Sequence, residues 1–377
     1  MTEYTPPISV SSLTPRLLLG PGPSPVSPSV LEALAHPTLG HLDPQFLALM
    51  DDVNRRLREV FGTQNPLTFA VSGTGSAGMQ AAFTNLLEPG DTVIIGIHGF
   101  FGLRMADMAR RVGAEVVSVE AEWGGVLDSG QLIDAHRAHP HARVLAVVHA
   151  ETSTGAHQPL DEVGAYLRES DTLFVVDAVT SLGGVPVDVD RTGVDVCYSG
   201  TQKCLGAPPG LAPITFSPDA VQRVSSRGTP CSSWYLDVTL LSEYIGTQRM
   251  YHHTASSNLF YGLHEALREM EVEGLQARHD RHRQVGVLLQ NALASRGFTS
   301  FTEPSRRLPQ LTAVRLPGGQ EEAPLRALLL ERHGIEVGGG LGPAKGKVWR
   351  IGLMGHGARE ASVERLLDAV DDLGIGE

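Results

Sequence analysis

Lys203 lies in Ser199-Gly-Thr-Gln-Lys203-Cys-Leu-Gly-Ala-Pro-Pro-Gly210, a run of small, hydroxyl and amide residues closed by a stiff turn. An amine that forms a Schiff base needs such surroundings, because desolvation lowers its pKa and frees its lone pair. Upstream, the strand-like Leu173-Phe-Val-Val-Asp177 ends in a lone carboxylate. A protonated pyridine nitrogen needs that partner if the ring is to act as an electron sink. The pair points to pyridoxal 5'-phosphate (PLP) chemistry. Each residue alone also has an ordinary reading. Lysines usually sit in solvent, and an Asp at a strand end often caps a helix or joins a loop salt bridge.

Further groups fall into order around this pair. Ser72-Gly-Thr74-Gly75-Ser76-Ala-Gly78 joins a strand to a helix. Its small residues let backbone N–H groups approach an anion at a helix N-terminus, as a phosphate cup requires. It lacks the Lys of a Walker loop and the full dinucleotide fingerprint, and alone it is also an ordinary Gly-rich turn. His149-Ala-Glu-Thr152-Ser-Thr-Gly155 follows another strand and places hydroxyls at the same sheet edge, although Ser and Thr there also make local turns. Phe101 could stack on a flat ring or fill core. Arg350, between Trp349 and Ile351 in a strand, faces away from both. Its planar fork suits a substrate carboxylate, and a surface arginine is the plainer reading. Loops around Gly22, Phe101 and Gly338–Gly342 are expected to shape the substrate site.

The elements needed to hold these groups are legible as strand–helix alternation. A helix is predicted near Pro44–Phe61, and about seven strands between residues 67 and 216. Their near-continuous apolar runs suit a mostly parallel sheet covered on both faces. Residues 1–30 hold too much Pro and Gly for regular structure and read as an extended arm. Residues 31–255 form a large domain. Residues 256–377 supply a long helical stretch from about Ser257 to Arg296, bent near Gly274, and a smaller α+β domain. In that domain Gly338–Gly342 reads as a loop.

Composition narrows the class. The chain has 377 residues, 42% hydrophobic, with net charge −12 and no basic run. Nucleic-acid and anionic-membrane binding are disfavoured. Three cysteines, Cys197, Cys204 and Cys231, lack disulfide or zinc spacing, so no metal is expected and a reducing cytoplasm fits. No apolar run spans a bilayer, and Met1–Thr14 does not read as a signal peptide.

The sequence resembles the class V aminotransferases of PLP fold type I, nearest the alanine–glyoxylate and serine–pyruvate or serine–glyoxylate types. The resemblance is carried by Gly20-Pro-Gly-Pro-Ser24, Val71-Ser-Gly-Thr-Gly75, Asn85-Leu-Leu-Glu-Pro-Gly-Asp91, Glu151-Thr-Ser-Thr-Gly155, Val176–Gly184, Tyr198-Ser-Gly-Thr-Gln-Lys203, Ala207-Pro-Pro-Gly210, Tyr251-His-His-Thr254 and Arg350-Ile-Gly-Leu353. It implies that Lys203 is the Schiff-base lysine and proton shuttle, and that Asp177 holds the pyridine nitrogen. Thr74, Gly75, Ser76 and Gln202 would surround the phosphate. Phe101 and Val179 would sandwich the ring, and Thr152 would contact its oxygen. Tyr251 and Thr254 would reach the phosphate of a partner subunit, making a homodimer part of the site. Arg350, with Gly22, would bind the substrate. Two positions depart from the pattern: some relatives carry Trp where this chain has Phe101, and Glu where it has Gln80.

The reading that follows is transamination from alanine or serine to glyoxylate or another small 2-oxo acid, in ping-pong order. Three alternatives stand beside it. A cysteine desulfurase or other PLP lyase would need a mobile catalytic cysteine, for which Cys231 is the loop candidate. An aminophosphonate transaminase would have Arg350 grip phosphonate. A PLP-free interaction protein would keep the fold without the chemistry.

Overall fold

The computed structural model describes residues 9–376; residues 1–8 of the expected arm lie outside the described residues. The arm that is described is not free of regular structure, contrary to its composition. Leu17–Leu18 (β1) forms a short parallel ladder with Ile335–Glu336 near the other end of the chain. Pro28–Leu34 (α1) is a helix with the Ser27 side chain as its cap and Pro28 in its first turn. A two-residue strand has no periodicity to read, and its partner lies more than 300 residues away. The helix Pro44–Phe61 (α2) begins at an Asp43 cap and stops at Gly62 in the left-handed region, φ 67°.

The large sheet alternates with helices. In chain order it uses β2 (Leu67–Ser72), α3 (Gly75–Leu86), β3 (Thr92–Ile97), α4 (Phe100–Val112), β4 (Glu115–Glu120), α5 (Ser129–Ala138) and β5 (Val144–Val148). A short hairpin, β6 (Ala150–Glu151) with β7 (Ala156–His157), follows. Then come α6 (Asp161–Leu167), β8 (Leu173–Asp177), α7 (Val189–Thr192), β9 (Val196–Tyr198), β10 (Leu211–Phe216), α8 (Pro218–Ser225) and α9 (Val238–Ile245). The seven-stranded order is β2-β10-β9-β8-β5-β3-β4, with β10 alone antiparallel to its neighbours. The sheet is mixed only through that one strand.

The central strands are buried on both faces, and their alternation divides them between two cores. Ile94, Leu145, Val147, Phe174 and Val176 pack toward α2, α6 and the helix Ser257–Glu273 (α10). Val93, Ile95, Val144, Ala146, Val148 and Val175 pack the other way, with residues of α3, α4, α8 and α9. This period of two sets the direction of the strand-end side chains.

The expected long helix is two helices, α10 and α11 (Leu275–Ser295), separated at Gly274 with φ 83°. Beyond lie β11 (Thr299–Ser300), β12 (Leu311–Arg315), α12 (Glu322–His333), β13 (Ile335–Glu336), β14 (Gly338–Gly339), β15 (Trp349–Gly352) and α13 (Glu360–Asp372). The second sheet is antiparallel, β11-β12-β15-β14. The segment Gly338–Gly342 is therefore not all loop, because Gly338 and Gly339 pair with Arg350 and Trp349. Glycine hides this strand from composition, yet it fits there. A Cβ on Gly338 would lie 2.4 Å from Pro21 of the arm.

Candidate functional site

β2, β3, β5, β8 and β9 run parallel, so their carboxyl ends share one edge. The loops leaving that edge carry Thr74–Ser76, Phe101, Thr152, Asp177–Val179 and Gln202–Lys203. Ligands bind at such an edge in open α/β sheets. Along β8, Leu173 and Val175 face the α3/α4 side, and the two-residue period puts Asp177 on that face too. It thus points toward the helix ends that hold the cup and Phe101.

Asp177 is 2% exposed. Its Oδ1 accepts the Val179 N–H at 2.9 Å, while Oδ2 is buried without a hydrogen-bond partner. Burial pushes its carboxyl up to about 7, and buried Glu151 pushes the same way. Tyr198, its lateral neighbour on β9, turns its hydroxyl toward the same carboxylate without closing a hydrogen bond of normal geometry, and burial, with Asp177 beside it, carries that phenol well above its ordinary range. An unpaired carboxylate oxygen at low dielectric is costly unless a cation or N–H completes it.

Lys203 is 8% exposed. Its ammonium donates to the Pro21 carbonyl, and the arm continues over it. The Ser24 N–H donates to the Gln202 carbonyl at 2.9 Å, and the Ser24 hydroxyl to the Lys203 carbonyl at 2.8 Å. Gly22 touches the lysine stem so closely that a Cβ would stand 2.6 Å from Nζ. Its φ of +110° disfavours any side chain as well. Burial lowers the Lys203 ammonium to about 8, with nearby Arg350 acting in the same direction.

The cup is built where β2 turns into α3. Thr74 is the N-terminal cap residue, exposed, with its hydroxyl not used in capping. In the first turn the Ala77 N–H donates to the Thr74 carbonyl at 2.7 Å, while the N–H groups of Gly75 and Ser76 have no intrahelical acceptor and favour an anion. Gly75 admits Val179 closely, since a Cβ would meet Cγ2 at 2.8 Å. Gln202 converges on the same place: a Cβ on Gly200 would lie 2.8 Å from Gln202 Oε1 and 3.3 Å from the Gly75 nitrogen. Gln202 Oε1 is buried and unpartnered. Ser76 accepts a hydrogen bond from Arg104.

Phe101 lies in the first turn of α4, half-buried, and its N–H donates to Glu151 Oε2 at 3.1 Å. Glu151 is fully buried, and its other oxygen accepts from the Ser153 N–H and hydroxyl. The hydroxyls of Thr152 and Thr180 meet at 2.5 Å. Arg350 faces away from Trp349 and Ile351, which belong to the apolar cluster behind the second sheet. Its Nε donates to the Gly339 carbonyl at 2.7 Å and its Nη1 to the Thr152 carbonyl at 3.2 Å. These bonds fix the fork at the rim of the first sheet. Burial brings its guanidinium down to about 10.

Not every expected residue joins this group within one chain. Tyr251 is 62% exposed and Thr254 is exposed, while His252 and Ala255 between and beside them are buried. The segment is still anchored near the cup, because His253 Nε2 lies 3.1 Å from the Ser72 hydroxyl. Cys231 spends its thiol on the Thr84 and Ser233 carbonyls. Cys204 is fully buried, and burial pushes its thiol up to about 12. Gln80 is exposed, one helical turn beyond Ser76 on α3, and lines the same surface pocket as Ser76 and Arg104. A cavity of about 690 Å³, lined by residues of α2, α8 and α9, contains none of the site residues.

The residues present fit PLP. Asp177 Oδ2 lacks the donor that a pyridinium N–H would be, the Gly75 and Ser76 N–H groups at the α3 N-terminus offer donors to a phosphate, and the Lys203 amine is desolvated. Among the described residues no group of His, Cys, Asp or Glu is placed to hold a metal ion. None of the described helices is long and apolar enough to cross a membrane. Reading residues singly missed Glu151, Arg104 and the Pro21 carbonyl. Glu151 lies inside a motif already marked by its hydroxyls. Arg104 stands one helical turn after Phe101, a spacing that could have drawn notice.

The family model Aminotransferase class-V matches residues 21–366. An alanine–glyoxylate aminotransferase of Drosophila melanogaster is 40% identical over 378 residues, covering 98% of this chain and 96% of that protein. An (S)-ureidoglycine–glyoxylate transaminase of Bacillus subtilis (strain 168) is 36% identical, covering 92% and 88%. The crystal structure of an alanine–glyoxylate aminotransferase from Nostoc sp. superposes with TM-score 0.95 at 49% identity, covering 97% of each chain.

Proposed function

This chain belongs to the class-V aminotransferases, which are PLP-dependent, and from that premise we propose that it moves the amino group of alanine or serine to glyoxylate. The observation that carries the reading is the juxtaposition at one sheet edge of a desolvated amine, Lys203, a buried carboxylate with a vacant acceptor, Asp177, and a doubly anchored guanidinium, Arg350. The names of the relatives supply the acceptor, glyoxylate.

When bound, PLP supplies an aldehyde carbon to receive the amine and a ring to delocalise the electrons released from Cα. Lys203 would hold the cofactor, and its buried amine would be the group that takes and returns the substrate's Cα proton. A lysine at about 8 exchanges protons readily near neutral pH. Asp177 keeps the ring nitrogen protonated. Arg350 orients the substrate carboxylate through its free edge, since backbone carbonyls already hold Nε and Nη1. Thr74, Gly75, Ser76 and Gln202 hold the phosphate. Phe101 and Val179 would flank the ring, and Thr152 would contact its oxygen. Gly22 leaves room above the lysine for a small substrate. The domain division at residues 30 and 255 belongs to the same proposal, with the arm closing over the site from the first segment.

The same reading includes a homodimer in which Tyr251 and Thr254 complete the partner's phosphate site. Their exposure beside buried neighbours, and the His253 anchor at Ser72, support it. A desulfurase role is disfavoured because the Cys231 thiol is bonded to the Thr84 carbonyl, in α3 rather than at the sheet edge.

Adding alanine or serine to the holoenzyme without acceptor should convert the cofactor's visible spectrum to that of its aminated form, and glyoxylate should restore it. Conversion by neither donor, or failure of glyoxylate to restore the spectrum, would remove the assignment.

A further inference from the structure

Arg104 is a cation without an anion. It lies on α4, half-buried, and among the described residues it makes no ion pair. Asp107 on the same helix is committed to Arg111 at 2.8 Å. Arg58 and Arg227 are likewise half-buried without an ion pair, so what distinguishes Arg104 is its place beside the N-terminus of α3. Its contacts say where its charge is directed. Nη1 donates to the Ser76 hydroxyl at 3.2 Å, and the guanidinium carbon lies 4.9 Å from the centre of the Phe101 ring and 5.3 Å from that of Phe100. The two aromatic faces hold the planar group against the N-terminus of α3. By filling an acceptor position of the Ser76 oxygen, Arg104 leaves the Ser76 O–H free to donate to an anion.

We propose that Arg104 is the counter-cation of the cofactor's phosphate, acting through Ser76. The proposal rests on the reading that the site takes PLP. Arg104 is a positioning residue: it orients the Ser76 hydroxyl outward and adds positive potential to the helix end, where a dianion needs more than backbone N–H groups. Its stacking on Phe101 is the means of holding it there.

The test compares two ligands, PLP and pyridoxal, which share the ring and aldehyde and differ in the phosphate. Dissociation constants are measured by fluorescence titration of the apo-protein for wild type, Arg104→Met, Arg104→Gln and Arg104→Lys. Arg104→Met and Arg104→Gln should each weaken PLP about tenfold, the size of one screened charge interaction at this depth. Both should leave pyridoxal unchanged, and Arg104→Lys should recover most of the loss. Equal weakening of both ligands would show that Arg104 serves the ring or the fold and would overturn the proposal, as would no weakening of either. If wild type itself takes up neither ligand, the PLP reading fails, independently of Arg104.

Discussion

Replacing Asp177 by Asn should have opposite effects in the apo- and holo-protein. Burial holds the Asp177 carboxyl at about 7 in the folded apo-protein, against an ordinary value of 3.8. The folded pKa is raised, so the unfolded state releases the proton first. The resulting penalty is absent below the unfolded value, grows as pH rises between the two, and is complete above about 7. Each pKa unit corresponds to 1.36 kcal/mol, so the full penalty approaches about 4 kcal/mol. Asn keeps the acceptor for the Val179 N–H and carries no charge. Apo Asp177→Asn should therefore be more stable than apo wild type near pH 8, by up to about 4 kcal/mol, and the difference should close toward pH 4. In the holo-protein the sign reverses, because the variant cannot hold a protonated ring nitrogen and cofactor affinity falls. The assay is thermal unfolding of both proteins with and without PLP, across pH at fixed protein concentration. An apo difference that is absent near pH 8, or that grows on acidification, would refute the argument that Asp177 is a buried charge awaiting a cation.

Gly22→Ala places a Cβ 2.6 Å from Lys203 Nζ at φ +110°; the expected outcome is displacement of the lysine, with turnover lowered by at least about tenfold, read by steady-state kinetics, and strain of roughly 1–2 kcal/mol in unfolding. Arg350→Gln should lower kcat/KM for the amino donor roughly a hundredfold, while the cofactor's visible spectrum without substrate stays as in wild type. Mixed dimers of Lys203→Ala and Tyr251→Ala chains should recover activity that neither variant shows alone, because the Lys203 site of one chain would receive Tyr251 from the other; failure to recover would remove Tyr251 from the partner's site.

The large sheet could be read from sequence because its inner strands are apolar on both faces, and β8 made Asp177 conspicuous by ending that run. The turn proposed as the phosphate cup was legible as a strand-to-helix turn from its glycines. What escaped depended on distant pairing. Leu17–Leu18 is a strand only because Ile335–Glu336 receives it, and Gly338–Gly339 only because Arg350 and Trp349 do. Helices α5 and α8 are short, though Asp128 and Ser217 cap them and Pro218 opens the second. Glu151 and Arg104 were hidden for another reason. Their importance lies in where their charges end up, against the Phe101 N–H and the Ser76 hydroxyl, and residue type alone does not carry that.

The central claim is that an amino group passes from donor to acceptor at Lys203. Alanine labelled in its nitrogen, supplied with glyoxylate, tests it most directly. The account predicts labelled glycine formed in step with pyruvate, no free ammonia, and no labelled glycine from Lys203→Ala on the same timescale. Release of the label as ammonia, or undiminished transfer by Lys203→Ala, would contradict it.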